Sequence, residues 1–367
     1  MTSANYLHAA YLLAKKANSK DIRPNPFVGA LIVDAKGEII GQGYHKKAGE
    51  AHAEVAAIKN ALLKTQDLSS CCLYVTLEPC SHTGKTPPCT DLILQHKIPK
   101  VVIGSMDPNP LVSGTKLLSD AGVQVEIVIL PEIVTLNSTF NINQIKKRPK
   151  YILKSATTIN GKIGDRLGNS KWISNEQSRT YVHEILRYNA DAILTTAQTI
   201  IKDNATLNIR LAGAEPEELN LIIIDRALTI LEPQYKDLGI FYSRKHTKIY
   251  LLSDKGYTNP LPQNVEILNA SFVDGVIDFT EINQLLLIKN IYEILVEAGG
   301  KLNASLIKQQ LIDEIVMFIC PSLLLDKEAI NLFNDPELQA IENRVQLKLT
   351  ETLQLDDDLL LKYNLLY

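Results

Sequence analysis

The chain has 367 residues, 46% of them hydrophobic and 22% charged, a composition that excludes a disordered, collagenous or coiled-coil protein and at this length favours two domains. Lysine and arginine total 38 against 41 acids, a net charge of −3, so no global field draws the protein to a nucleic-acid polyanion. No apolar run approaches the roughly 18 residues that span a bilayer, and residues 1–20 lack the plan of a signal peptide, so a cytoplasmic location is expected. Five cysteines are too few for a disulfide scaffold in such a chain, which leaves metal binding, catalysis or packing for the thiols.

Leu7, Ala10, Tyr11 and Ala14 follow the i, i+3, i+4, i+7 spacing of an amphipathic helix, which Pro24-Asn25-Pro26 ends. Residues 28–33 and 39–44, either side of a turn at 34–37, read as a hairpin. Next come a helix over 52–64, a buried strand at 72–76, a loop at 78–88, a helix at 90–96 and a strand at 100–104. A loop at 107–110, a helix at 115–121 closed by Gly122 and a strand at 123–128 complete the series. The alternation predicts a largely parallel or mixed sheet with helices on its faces. Around 142–150 the pattern loses periodicity and turns polar and basic, ending in Arg148-Pro149. The domain boundary is placed there, giving domains 1–147 and 148–367. A second α/β series follows, with strands at 151–156, 192–196, 220–225, 248–253, 293–297 and 315–320 and helices at 175–188 and 303–310. No period of 20 to 50 residues is present, which argues against a solenoid.

His52-Ala53-Glu54, Pro79-Cys80 and Cys89, after eight intervening residues, supply one imidazole and two thiols at separated points. A catalytic zinc takes three protein ligands and leaves the fourth position for water. Glu54 reaches the same centre as His52 only if the pair opens a helix, where free N–H groups and the positive dipole end also favour a water losing its proton. Glu54 would then carry protons to a substrate ring nitrogen and a leaving amine. Each motif alone is a common coincidence. The histidine opening a helix and the cysteine following a strand give the combination its weight. A closed knuckle with Cys71 or Cys72 as fourth ligand is the structural alternative, disfavoured because cysteine before an apolar strand is more often a core residue. In the second half, the strand ending in Ala298-Gly299-Gly300-Lys301 before a helix suits a phosphate, although Gly-Gly also closes ordinary turns. It is not the Gly-x-Gly-x-x-Gly fingerprint, so a Rossmann domain is not indicated.

Pro24-Asn25-Pro26-Phe27-Val28-Gly29, Gly43-Tyr44-His45, His52-Ala53-Glu54, Thr76-Leu77-Glu78-Pro79-Cys80-Ser81-His82, Gly84-Lys85-Thr86-Pro87-Pro88-Cys89 and Asp107-Pro108-Asn109-Pro110 together resemble the bifunctional deaminase/reductases of riboflavin biosynthesis. The resemblance spans essentially residues 1–145 and implies a cytidine-deaminase-like α/β/α domain. It puts His52, Cys80 and Cys89 on zinc, makes Glu54 catalytic, and lines the pocket with Asn25 and His45. Nucleic-acid deaminases usually carry a shorter gap between the two cysteines, so the Gly-Lys-Thr-Pro-Pro loop resembles the riboflavin enzymes' own.

Lys154-Ser155-Ala156, Asn160-Gly161-Lys162, Ser170-Lys171-Trp172-Ile173-Ser174, Leu186-Arg187, Asp191-Ala192-Ile193-Leu194, Thr199, Asp203, Leu207-Asn208-Ile209-Arg210 and Val296-Glu297-Ala298-Gly299-Gly300 resemble the reductase half of the same enzymes, a dihydrofolate-reductase-like α/β domain. The resemblance implies that Ala156, Trp172, Thr199, Asp203, Gly299 and Gly300 contact NADPH. It also implies that Ser170, Arg187, Leu207, Arg210 and Glu297 hold the substrate, with Lys154 acting on substrate or cofactor. A 5-phosphate suits arginine, which binds it bidentately. Read without the resemblance, Trp172 would pack a core and the two arginines would be solvated. The family usually has Ser and Asp where Thr158 and Asn160 stand, often a glycine-containing turn at Thr196-Ala197-Gln198, and Asp-Pro at Asn204-Ala205. Asn160 gives up a charge and Asn204-Ala205 a rigid turn, which bears on cofactor positioning and reductase rate.

The expected activity is zinc-dependent deamination of a phosphoribosylaminopyrimidine followed by NADPH-dependent reduction of its ribosyl group to ribityl. The expected partners are these small molecules and further copies of the chain, a dimer or tetramer by resemblance, with no nucleic acid or membrane. The rivals are a nucleic-acid or nucleoside base deaminase with an appended binding domain, which 6% aromatic residues and an acidic balance disfavour, and a non-catalytic zinc-structured module.

Overall fold

A computed structural model describes residues 1–81, 87–335 and 340–367. The part of the expected loop at 82–86, with His82 and Gly84-Lys85-Thr86, lies outside the described residues. The chain divides into two compact units, Met1–Arg148 and Pro149–Tyr367.

The first unit begins with α1 (Ser3–Ala14), which starts ahead of its apolar stripe. Thr2 Oγ1 accepts from the Asn5 N–H while Asn5 Oδ1 accepts from the Thr2 N–H, a reciprocal cap that fixes the start. There follow α2 (Ser19–Ile22), β1 (Gly29–Val33), β2 (Ile39–Tyr44), α3 (Ala53–Ala61), β3 (Cys72–Val75), α4 (Cys89–Gln95), β4 (Lys100–Ile103), α5 (Gly114–Asp120) and β5 (Gln124–Ile127). The sheet order is β2-β1-β3-β4-β5, antiparallel about β1 and parallel from β3 to β5. Alternate strand residues face opposite cores. Ala30 and Ile32 pack with Ala57, Ile58 and Ile93, whereas Leu31 and Val33 pack with Tyr6, Leu7 and Ala10, so helices cover both faces.

Two helices, α6 (Pro131–Leu136) and α7 (Ser138–Lys146), stand where the sequence pattern fades. The loss of periodicity read from 142 onward therefore does not mark the end of helix, since α7 runs on to Lys146. No residue of α7 is fully buried, so no apolar stripe marks it, and Lys147 closes it with φ +51°.

The second unit runs β6 (Lys150–Thr158), β7 (Lys162–Gly164), α8 (Glu176–Tyr181), β8 (Ala192–Thr196), α9 (Ala197–Asp203), β9 (Asn220–Ile224), α10 (Gly239–Tyr242), β10 (Ile249–Ser253), β11 (Val265–Asn269), β12 (Phe272–Val273), β13 (Val276–Ile277), α11 (Thr280–Ile288), β14 (Glu293–Val296), α12 (Gly300–Lys308), β15 (Ile312–Cys320), β16 (Ile330–Asn331), β17 (Gln346–Leu355) and β18 (Asp358–Leu366). The expected helix at 175–188 is α8 followed by a π-helical turn, Val182–Arg187. The large sheet has the order β11-β10-β9-β8-β14-β6-β15-β18-β17. It is parallel from β11 to β15 and closes with the antiparallel hairpin β17–β18. Buried on both faces, its central strands read as near-continuous apolar runs such as Ile222-Ile223 and Ile294-Leu295-Val296. The carboxyl ends of β8 and β14 lead into α9 and α12, the edge of an open parallel sheet where ligands bind.

Candidate active sites

In the first unit, α3 is seated against β2 by two glycines. A Cβ on Gly43 would stand 2.6 Å from Ala57 N and 2.7 Å from Ala53 O, so a side chain there would lift the helix away. His52 is its N-cap and Glu54 lies in its first turn, 4% exposed. Cys80 follows β3 and Cys89 opens α4. The Nδ1 of His52 is 3.3 Å from Cys89 Sγ and 3.6 Å from Cys80 Sγ, and the three donors lie within 4.8 Å of one another. Zinc bonds of about 2.3 Å to sulfur and about 2.0 Å to nitrogen at tetrahedral angles require N to S edges of about 3.5 Å, so this triangle fits the ion.

Protons in this cluster are shared. The hydrogen bond from the Cys89 thiol, with help from His52 and against burial, holds Cys80 down at about 4. The same bond pushes Cys89 far up. Burial raises Glu54 above the usual carboxylate range. Beside the triangle, His45 is buried, its ring 5.7 Å from that of His52. Its Nδ1 faces the Ala51 carbonyl at 3.2 Å and so carries the proton, and its Nε2 accepts from Asn25 Nδ2 at 3.1 Å. That chain fixes the Asn25 amide and leaves its Oδ1 for a ligand donor.

Sequence reasoning missed Glu78. Its buried carboxylate accepts from Thr115 N at 2.8 Å and Thr115 Oγ1 at 2.6 Å, and Ser81 Oγ accepts from Ser113 N at 2.9 Å, so the segment that supplies Cys80 is tied to the start of α5.

In the second unit, Arg187 is 7% exposed and grips Glu297 with both Nε at 2.6 Å and Nη2 at 2.9 Å, while its Nη1 donates to Asn208 O at 2.7 Å. Lys154 Nζ is 4.0 Å from the same carboxylate. Burial alone would raise Glu297, yet Arg187 and Lys154 bring it down to about 2. Leu207 has φ +47°, a costly conformation for leucine, and its carbonyl accepts from the buried Arg244 at 3.0 Å. Arg244, also unanticipated, thereby braces the bend that leads to Arg210.

The residues expected at a cofactor lie on several elements. Ala156 is on β6, Thr199 and Asp203 are on α9, and Gly299 and Gly300 are the N-cap and first residue of α12. Among the described residues nothing stands within 4 Å of where a Cβ on Gly299 would be, whereas one on Gly300 would meet Asn331 O at 2.3 Å. Trp172 is 69% exposed, with the Arg179 guanidinium 4.6 Å from its ring, so it does not fill a core; Ser170 beside it is exposed too. The departures have local accounts. Asn160 accepts from Leu324 N and donates to Leu324 O, a pairing aspartate could make only in half. Asn204 ends α9 with φ +42°, which asparagine tolerates, and accepts from Gly239 N.

The model of the cytidine and deoxycytidylate deaminase zinc-binding region matches residues 1–105, and that of the RibD C-terminal domain matches residues 149–361, more than half of the chain. The riboflavin biosynthesis protein RibD of Actinobacillus pleuropneumoniae is 36% identical over 99% of this chain and 95% of the relative. The chain belongs to the RibD family. RibD of Aquifex aeolicus is 34% identical, covering 97% of both chains. Among solved structures, Acinetobacter baumannii RibD superposes with a TM-score of 0.81 at 29% identity, covering 100% of this chain and 99% of that one. The Thermotoga maritima diaminohydroxyphosphoribosylaminopyrimidine deaminase/5-amino-6-(5-phosphoribosylamino)uracil reductase gives 0.83 at 32% identity over 99% of each. As a RibD-family enzyme the chain is a bifunctional deaminase and reductase of riboflavin biosynthesis, with a zinc-binding deaminase domain and a RibD reductase domain. That reductase domain stands where the rival reading needs a nucleic-acid-binding one. No helix among the described residues is long and apolar enough to cross a membrane.

Proposed function

We propose that residues 1–148 deaminate a phosphoribosylaminopyrimidine and that residues 149–367 reduce the product's ribosyl group to ribityl. The observation that carries the first half is the zinc-sized triangle of His52, Cys80 and Cys89 with Glu54 buried in the first turn beside it. Zinc held there supplies a Lewis acid that brings the pKa of a water toward neutrality. Glu54 takes a proton from the water that adds to the amino-bearing carbon and passes it to the adjacent ring nitrogen. As the C–N bond breaks, Glu54 relays the hydroxyl proton to the amine, which leaves as ammonia. Asn25, fixed by His45, orients the ring. Glu54→Gln tests this reading by ammonia release: a fall of about 10² to 10⁴-fold is expected, and an unchanged rate overturns it.

In the second unit, Ala156, Trp172, Thr199, Asp203, Gly299 and Gly300 would hold NADPH, and the chemistry it would supply is a hydride for C1 of the ring-opened ribose. The open space at Gly299 and the exposed Trp172 ring suit that cofactor. Ser170, Arg187, Leu207, Arg210 and Glu297 hold the sugar phosphate, and Lys154 is the proton donor to the sugar oxygen. NADPH oxidation with deaminated substrate checks this half. The assembly is a homo-oligomer, dimer or tetramer, in keeping with Leu347, Leu349 and Leu353 exposed along the edge strand β17. Five free thiols fit a cytoplasmic setting.

A further inference from the structure

His183 stands with Arg187 in the π-helical turn. Its Nδ1 is 3.1 Å from the backbone N of Arg210, and its Nε2 is 3.2 Å from Nη2 of the same residue. Burial, with Arg187 and Arg210 alongside, holds the imidazole at about 4, so it is neutral near pH 7 and carries one proton. A neutral ring cannot accept at both nitrogens, and both Arg210 groups only donate. The backbone N–H is fixed and the guanidinium sits on a flexible stem, so Nδ1 accepts from the backbone and the proton resides on Nε2. Two donors, His183 Nε2–H and the Arg210 guanidinium, therefore face each other with no acceptor between them among the described residues.

The surrounding charge points to what is missing. Lys154, Arg187 and Arg210 gather about the single carboxylate of Glu297, and three cations against one anion leave two positive charges. Arg187 already occupies both oxygens of Glu297, and among the described residues Arg210 makes no ion pair. A phosphate carries about −1.5 to −2 charge near neutrality and accepts from several donors at once.

We propose that His183 is a phosphate-binding residue of the reductase, its Nε2–H and the Arg210 guanidinium converging on one oxyanion of the substrate's 5-phosphate. This rests on the reading that Arg187, Arg210 and Glu297 hold the substrate. The anion relieves the facing donors by accepting from both. The cofactor's phosphates share this chemistry, so the test separates the two sources.

KM and kcat are measured for the phosphorylated substrate and for NADPH in His183→Asn, His183→Gln and Arg210→Ala. Asparagine keeps an acceptor where Nδ1 stands and loses the Nε2 donor, while glutamine keeps a donor near Nε2. The expected result for His183→Asn is a rise of about 10-fold in KM for the substrate, larger than any fall in kcat, with KM for NADPH steady and partial rescue by glutamine. A loss confined to kcat, or no rescue by glutamine, makes the role structural and overturns the proposal. A rise in KM for NADPH instead places the anion on the cofactor and overturns it as well. If Arg210→Ala raises KM for the substrate and His183→Asn does not, the proposal fails alone. If neither changes it, the reading of the substrate site fails with it.

Discussion

The two centres carry opposite electrical deficits. The first gathers two thiols, an imidazole and a buried carboxyl group that share too many protons among too few acceptors, and it is completed by a cation. The second gathers three cations about one carboxylate and is completed by an anion. Unpaired charge is costly away from water, so the sign of a cluster's imbalance names its ligand class before any ligand is seen.

The largest break between the two comes from removing the metal. Dialysis against a zinc chelator is expected to abolish ammonia release while NADPH oxidation with deaminated substrate persists; parallel loss of both rates would show that the second centre also depends on the ion. Next is Arg187→Ala, which strips a largely buried carboxylate of its bidentate partner. A loss of about 3 kcal/mol in denaturant unfolding is expected, at the low end for a broken buried pair because Lys154 remains 4.0 Å away.

Acid gives a smaller effect. Glu297 titrates at about 2 when folded, below its ordinary 4.5, so its stabilisation is complete above the unfolded value and is lost as pH falls through the folded one. Between pH 5 and 3 the native protein should lose about 2 kcal/mol more than Glu297→Gln, and equal slopes would show that the pair is not held as described. The smallest is Asn160→Asp, expected to cost about 1 kcal/mol or less by losing the donation to Leu324 O, read as a shift in thermal midpoint with KM for NADPH unchanged.

What the sequence disclosed follows the range of the contacts. His52 and Glu54 announce themselves because both belong to one helix start, and the buried strands because parallel sheets leave unbroken apolar runs. The helix at 138–146 left no stripe because it buries no residue fully. The hairpin β17–β18 escaped for a related reason: β17 is exposed along nearly its whole length, so its alternation marks no core face. His183 and Arg244 were invisible for another. A lone histidine meets Arg210 across 27 residues, and Arg244 reaches Leu207 across 37, and no local spacing encodes such meetings. Trp172 and Arg187 read as core filler and solvated surface when taken singly, and the fold reversed both.

The wide turn at Val182–Arg187 has a consequence for how this segment can change. Upstream, Asn175 N and Ser178 Oγ both donate to Asp358 Oδ2. Downstream, Arg187 is locked to Glu297. Removing one residue from the turn would rotate one anchor against the other by about 100°, so the chain could keep its grip on the hairpin β17–β18 or on the carboxylate but not both. The number of residues between Ser178 and Arg187 is therefore under constraint in its own right, beside the identity of His183 within the turn.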